Sequence, residues 1–306
     1  MSALFSSTRS YTDYALLPAQ HMKVAHIPAY EVKMISKTPQ IVISIPHGGF
    51  TYCDELASET YAFLDRLRSL EDSGTNLLRD MINIDNSALI SAALSRALLD
   101  LNRPASALDP LLYKEELLPP NPHDRFTRYI HAGYGVAPRL CAQKKPLYKH
   151  SLAFESTQNL IDRFHKPYHD KLASLLDEGV RHHGQVILLD IHSMPSHYAG
   201  KNCPDFIFGD HFGRCLPDYM RQTITSLVKN TPFSHGWNYP YAGGYITTHY
   251  GDIHGSVYSV QIEINRALYC KGQNKVSCEA LRMIAQLISQ IAQSLSNEVG
   301  SRLAAE

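Results

Sequence analysis

The run Ile41-Val42-Ile43-Ser44-Ile45 has no charged residue, four β-branched side chains and a hard stop at Pro46, followed by His47-Gly48-Gly49. So short a run cannot sustain a helix, and a strand wetted on one face would alternate apolar with polar residues. The run therefore predicts a strand buried on both faces, with His47 in the tight loop at its end. Such a strand needs an apolar cover on each side, and the chain supplies amphipathic stretches of suitable length. From Ser156 to Glu178, Leu160, Phe164, Tyr168, Leu172 and Leu175 or Leu176 recur at three or four, predicting a helix that Pro167 kinks. A second stripe, Leu281, Ile284, Ile288, Ile291 and Leu295, closes the chain.

Shorter helices are expected over 55–68, 75–82 and 214–227, and further strands over 185–191, 205–208 and 258–264. The stretch Leu89 to Leu101 reads both ways, its alanines allowing helix while Ala97 to Leu101 favours a strand. The alternation predicts an α/β fold, with a mixed, mostly parallel sheet flanked by helices on both faces. No linker or repeat interrupts it, so residues 1–306 are read as a single domain, with 1–30 as an N-terminal extension. Residues 104–150, rich in Pro, Tyr and Gly and without periodicity, are expected to line or cover a site.

Composition excludes several classes of function. The 29 Lys and Arg balance 29 Asp and Glu, without blocks of like charge, which gives binding of a nucleic-acid backbone little electrostatic support. No apolar stretch approaches the length of about 18 residues that spans a bilayer. The six cysteines are scattered without C-x-x-C spacing, which fits a reducing, cytoplasmic setting. A G-x-S-x-G elbow, a phosphate-binding G-x-x-x-x-G-K-[ST] loop and an H-E-x-x-H helix are all missing from the sequence.

Ligands of open α/β sheets bind beyond the carboxyl ends of strands, and there the polar residues are chemically capable. His47 follows the first strand, Asp190 and His192 end the second, Glu263 ends the last, and Asn102 and Arg103 follow Ala97 to Leu101. His47 and His192 are candidate imidazole ligands of a hydrolytic Zn²⁺, which also accepts a carboxylate. Adjacent Glu71 and Asp72 are the candidate carboxylates, and spacing alone does not choose between them; either also suits a helix start. Asp190 either alternates to the opposite face or accepts from an imidazole N–H. Glu263, set among β-branched residues, either pairs with an arginine or serves as the base on a water. Arg103 and Arg266 each follow an asparagine and can hold a substrate carboxylate through two hydrogen bonds. Gly243, Gly244 and Tyr245 form either a plain turn or a loop whose backbone approaches a ligand closely.

Taken together, Ser-Ile-Pro-His-Gly-Gly (44–49), Asp-Leu-Asn-Arg-Pro (100–104), Ala-Gly-Tyr-Gly-Val-Ala-Pro-Arg (132–139), Asp-Ile-His-Ser-Met-Pro (190–195), Tyr-Ala-Gly-Gly-Tyr (241–245) and Gln-Ile-Glu-Ile-Asn-Arg (261–266) resemble the N-formylglutamate amidohydrolase family. The resemblance runs in order from about residue 40 to about residue 295. It implies a zinc carboxypeptidase-like (phosphorylase/hydrolase-like) fold and one Zn²⁺ held by His47, Asp72 and His192, breaking the tie with Glu71. It further implies that Glu263 is the catalytic carboxylate, and that Asn102 and Arg103 bind a substrate α-carboxylate. Arg266, Arg139, His169 and the Gly243-Gly244-Tyr245 loop are its further pocket candidates. The implied reaction is hydrolysis of an N-acyl amino acid, N-formyl-L-glutamate in histidine breakdown. The alternatives are another N-acyl amino acid, a carboxypeptidase-like substrate, or a non-catalytic carboxylate binder. The implied partner is a small carboxylate, with neither nucleic acid nor membrane.

Overall fold

The computed structural model describes residues 14–16, 20–57, 59–60, 64–198, 201–272 and 275–303. Its centre is a seven-stranded mixed sheet. In chain order the strands are β1 (Tyr30–Met34), β2 (Ile41–Ile45), β3 (Ser87–Ala92), β4 (Val186–Met194), β5 (Phe206–Gly209), β6 (His235–Trp237) and β7 (Val257–Asn265). Their spatial order is β6-β5-β7-β4-β2-β3-β1. The four central strands, β7, β4, β2 and β3, run parallel to one another, while β1 and β5 join them antiparallel. Five helices pack around the sheet and its strand ends: α1 (Thr75–Met81), α2 (Lys166–His183), α3 (Asp218–Lys229), α4 (Tyr245–Tyr250) and α5 (Cys278–Leu303).

Strand period two sorts the apolar side chains into two cores. Ile41, Ile43 and Ile45 of β2 join Ile187, Leu189, Val260 and Ile262 beneath α3 and α5, where Leu281, Ile284, Ile288, Ile291 and Leu295 are all buried. Val42, Ala88, Ile90 and Leu188 point the other way, onto Phe164, Tyr168, Leu172 and Leu176. Each fully buried aliphatic side chain contributes about 1.5–3 kcal/mol by leaving water. The sheet is thus held from both sides, as the uncharged β2 run requires.

The second face is covered by α2 together with the long irregular segment. Residues 104–150 form only the short turns Pro110–Leu112 and Thr127–His131, yet Leu112, Tyr113, Val136, Leu147 and Tyr148 are buried in that core. Its backbone is tied by local bonds, such as Asp100 N–H to Val136 O at 2.7 Å and Val136 N–H to Ala107 O at 2.7 Å. Of the expected N-terminal extension, residues 1–13 and 17–19 lie outside the described residues, whereas Gln20–Met22 pairs with Thr51–Cys53.

The irregularity expected at Pro167 takes the form of a π-helical turn, Ile161–His165, which joins Phe154–Leu160 to α2 and admits the proline in the first turn of α2. One expectation needs correction: Ala97 to Leu101 is not a strand. The strand is Ser87–Ala92, and beyond it Ser95 folds the chain into turns, its carbonyl accepting from Leu98 and Leu99 N–H at 3.0 and 3.3 Å. Ala97, Leu98, Leu99 and Leu101 are buried all the same, which is why their composition resembled a strand. Asn102 and Arg103 therefore come from a loop. Among the described residues no helix is long and apolar enough to cross a membrane.

Candidate metal centre

Register brings the strand-borne groups together. Across the parallel pair β4 and β7, His192 lies opposite Glu263 and Asp190 opposite Gln261; across β2 and β4, Ser44 lies opposite Asp190. His47 stands just past the end of β2. The Gly48-Gly49 pair has a packing reason: a Cβ on Gly49 would overlap the Leu94 carbonyl. Asp72 arrives from the loop before α1.

His47 Nδ1 is 3.0 Å from His192 Nδ1. Asp72 Oδ2 is 3.3 Å from the first and 3.1 Å from the second. All three residues are buried. Bonds of about 2.0–2.1 Å to a tetrahedral Zn²⁺ put neighbouring ligand atoms roughly 3.3 Å apart, so the triangle has the size of a tetrahedron's face. The outer nitrogens support this reading. His47 Nε2 is 2.7 Å from Asp100 Oδ1, and His192 Nε2 is 3.1 Å from Asp190 Oδ2. With each Nε2–H donating to its carboxylate, both Nδ1 lone pairs face the centre. Asp190 shares His192's face, as residues two apart on a strand do, and lies behind its outer nitrogen. Ser44 Oγ donates to Asp190 Oδ1 at 3.0 Å.

The adjacent acids have different fates. Glu71 accepts from the Tyr52 hydroxyl and from Ser95 Oγ, the latter at 3.2 Å, and so belongs to a separate buried cluster. Asp72 Oδ2 accepts from Ser193 N–H at 3.0 Å and faces the imidazoles, while α1 has no side-chain cap. Burial pushes Asp72 up, but with the imidazoles protonated the His47 charge and hydrogen bonds from His192 and His47 outweigh it and hold the carboxyl well below its usual range; a metal ion would take the place of those Nδ1 protons. Burial likewise pushes His192 down, yet Asp190 and Asp72 hold it well above the ordinary imidazole value. Arg96 bridges the carboxylates, at 2.8 Å from Asp100 Oδ2 and 3.5 Å from Asp72 Oδ1.

Glu263 is buried beside this centre, and Gln261 Nε2 donates to its Oε1 at 2.8 Å. Burial pushes Glu263 up to about 7; Asp72 adds to the rise, and His192, Arg96 and Arg266 oppose it. A carboxylate held near neutrality can both take and return a proton.

The loop from Leu101 to Arg103 is clamped by two histidines of the π-turn and α2. His165 Nε2 lies 2.8 Å from Arg103 O, and His169 Nε2 lies 2.9 Å from Leu101 O. Burial, then the charge of His165, pushes His169 down to about 3, so its ring is a neutral donor. Asn102 Nδ2 is 3.0 Å from His192 Nε2, and its Oδ1 accepts from Ile246 N–H at 2.8 Å. A Cβ at Gly244 would overlap the Asn102 amide, which explains that glycine as a close backbone approach. Gly244 N–H also donates to Gln261 Oε1 at 2.6 Å, linking the Gly243-Gly244-Tyr245 loop to Glu263 through Gln261. The Tyr245 ring packs on His249 and His169.

Arg103 donates to Asn102 O and Tyr134 O and lies 4.2 Å over the Tyr129 ring; among the described residues it has no carboxylate partner. Arg266 donates to Glu71 O at 3.3 Å, and its buried Nε has no partner among the described residues. Arg139 is engaged by Asp109 at 2.8 Å. Asp100, Arg96, Gln261 and His165 were not singled out from the sequence. The i, i+4 spacing of His165 and His169 was the available signal for one of them; Asp100 directly precedes Leu101-Asn102-Arg103.

Residues 39–270 match the family model described as N-formylglutamate amidohydrolase. The N-formylglutamate deformylase of Pseudomonas putida is 28% identical over 238 residues, covering 75% of this chain and 81% of that protein. That of Pseudomonas aeruginosa is 27% identical over 242 residues, covering 76% and 83%. In fold, the chain is similar to the crystal structure of N-formylglutamate amidohydrolase from Ralstonia eutropha JMP134, with a TM-score of 0.79 at 22% identity over 89% of this chain and 98% of that one. With the family model covering most of its length, the chain belongs to the N-formylglutamate amidohydrolase family.

Proposed function

We propose that this protein hydrolyses the C–N amide bond of an N-acyl amino acid, and that N-formyl-L-glutamate is its substrate, giving L-glutamate and formate. The observation that carries the reading is the convergence of His47 Nδ1, Asp72 Oδ2 and His192 Nδ1 beside a buried Glu263. The names of the two Pseudomonas relatives supply the substrate.

Two imidazoles and one carboxylate suit Zn²⁺. A divalent ion held there would supply a Lewis acid and make water acidic enough to be deprotonated near pH 7. Glu263 takes the proton of the attacking water and returns it to the departing amine. Asp100 and Asp190 hold the two imidazoles in the tautomer and orientation that the ion requires. Arg103 receives the α-carboxylate, and Asn102 anchors the start of α4 by accepting from Ile246 N–H. Arg266 and the Gly243-Gly244-Tyr245 loop complete the pocket, with His169 positioning the loop that carries Arg103. Segment 104–150 walls it through Tyr129 and Tyr134. A neutral amide without the carboxylate would leave the part-buried Arg103 unpaired, which selects against it.

The test is formate release by the purified protein from N-formyl-L-glutamate, beside N-acetyl-L-glutamate and a C-terminal dipeptide. Turnover of the formyl compound far above the others supports the reading. Preference for the dipeptide would move the protein to a carboxypeptidase-like reaction, and binding without turnover would leave a carboxylate-binding protein.

A further inference from the structure

N-formyl-L-glutamate carries two carboxylates, and the reading above gives a partner to only one. A second cation stands close by. Arg125 Nη2 donates to Gly243 O at 3.0 Å, so its guanidinium is moored to the loop whose next residue packs against Asn102. The same short segment carries Tyr129, over which Arg103 lies at 4.2 Å and Arg128 at 4.7 Å. Two guanidinium groups therefore flank the Tyr129 ring, and the third, Arg125, lies over the adjacent Phe126 ring at 5.0 Å and on the glycine loop.

Among the described residues, none of Arg103, Arg125 and Arg128 is in an ion pair, whereas Arg79, Arg96, Arg139 and Arg221 all are; Arg103 feels the charge of Asp100, and no carboxylate acts on Arg125. The neighbouring acid, Asp124, is turned to the Phe126 N–H at 2.8 Å. Burial pushes the Arg125 guanidinium down, as do the charges of Arg128 and Arg103. A part-buried arginine kept beside like charges without a counterion fits a site whose anion arrives with the ligand. In an extended glutamate the two carboxylate carbons stand about 5 Å apart, so two neighbouring arginines suit a dicarboxylate.

We propose that Arg125 receives the second, side-chain carboxylate of a dicarboxylic N-acyl amino acid whose α-carboxylate is held by Arg103. This inference rests on the hydrolase reading above and makes Arg125 the residue that selects glutamate over glutamine. The near-isosteric pair N-formyl-L-glutamate and N-formyl-L-glutamine tests it through kcat/KM. Wild type should favour the acid, and Arg125→Gln should shrink the preference about 10- to 100-fold, mainly by raising KM for the acid. Arg125→Lys should restore part of it. An unchanged preference in Arg125→Gln, or its loss in Arg266→Gln alone, overturns the assignment.

A measurement on wild type guards against a misfolded variant: glutarate should inhibit more tightly than butyrate, and equal inhibition overturns the proposal. Wild-type turnover of the acid and the amide at equal rates leaves the hydrolase reading standing and removes Arg125 from it. Turnover of neither removes both.

Discussion

His47, His192 and Glu263 sit at the ends of adjacent parallel strands, whereas Asp72 and Asn102 reach the same point from loops and Arg103 follows Asn102 on its loop. The strand-borne groups are placed by ladder register, and side chains buried on both faces of the sheet hold that register. The loop-borne groups depend on single polar ties: Ser193 N–H on Asp72, Ile246 N–H on Asn102, and His165 and His169 on the carbonyls of the Arg103 loop. On the proposed reading, chemistry and metal binding would therefore be built mostly on rigid elements, and substrate binding mostly on propped ones. Damage to the first should remove turnover outright, and damage to the second should act in degrees.

The largest effects belong to the strand ends. Glu263→Gln should retain the metal, measured by elemental analysis, and lose about 10²–10⁴-fold in kcat. His192→Ala should lose the metal itself. A Glu263→Gln enzyme with near-normal kcat would break the comparison at its strongest point. The pH profile sharpens it. The base acts when ionised, so kcat/KM should fall about tenfold per pH unit on the acid side of its titration. Burial holds Glu263 up to about 7, and a nearby dication favours the carboxylate, so that limb should lie below about 7 in the metal-loaded enzyme. Glu263→Gln should lack it.

Intermediate effects fall on the carboxylates behind the ligands. Asp100→Asn replaces the acceptor for His47 Nε2–H, and metal affinity measured against a competing chelator should drop about 10- to 100-fold. The smallest effect is expected from the loop props. His165→Phe removes the donor to Arg103 O, and KM should rise several-fold while kcat changes little, with a stability loss of about 1 kcal/mol in urea unfolding. A collapse of kcat in His165→Phe would mean that the Arg103 loop belongs to the catalytic half after all.

The same division governs what could be read in the sequence. Ile41 to Ile45, the α5 stripe and the strand-end residues were legible because short apolar runs and helical periodicity record burial directly. Ala97 to Leu101 misled because burial in turns leaves the same composition as burial in a strand. Glu71 and Asp72 have the same chemistry at adjacent positions, and only the contacts to Tyr52 and Ser95, distant in sequence, separate them. Asp100, Arg96 and Gln261 act through side-chain bonds that no periodicity records. Likewise, that Arg125 meets no acid among the described residues is a fact of three-dimensional surroundings.

The account stands on the His47, Asp72 and His192 centre, and one measurement reaches it directly: metal content and formate release from N-formyl-L-glutamate, followed through chelation and reloading. The account predicts about one divalent ion per chain, formate release that disappears on chelation, and its return with Zn²⁺. Undiminished formate release from fully metal-stripped protein would contradict it.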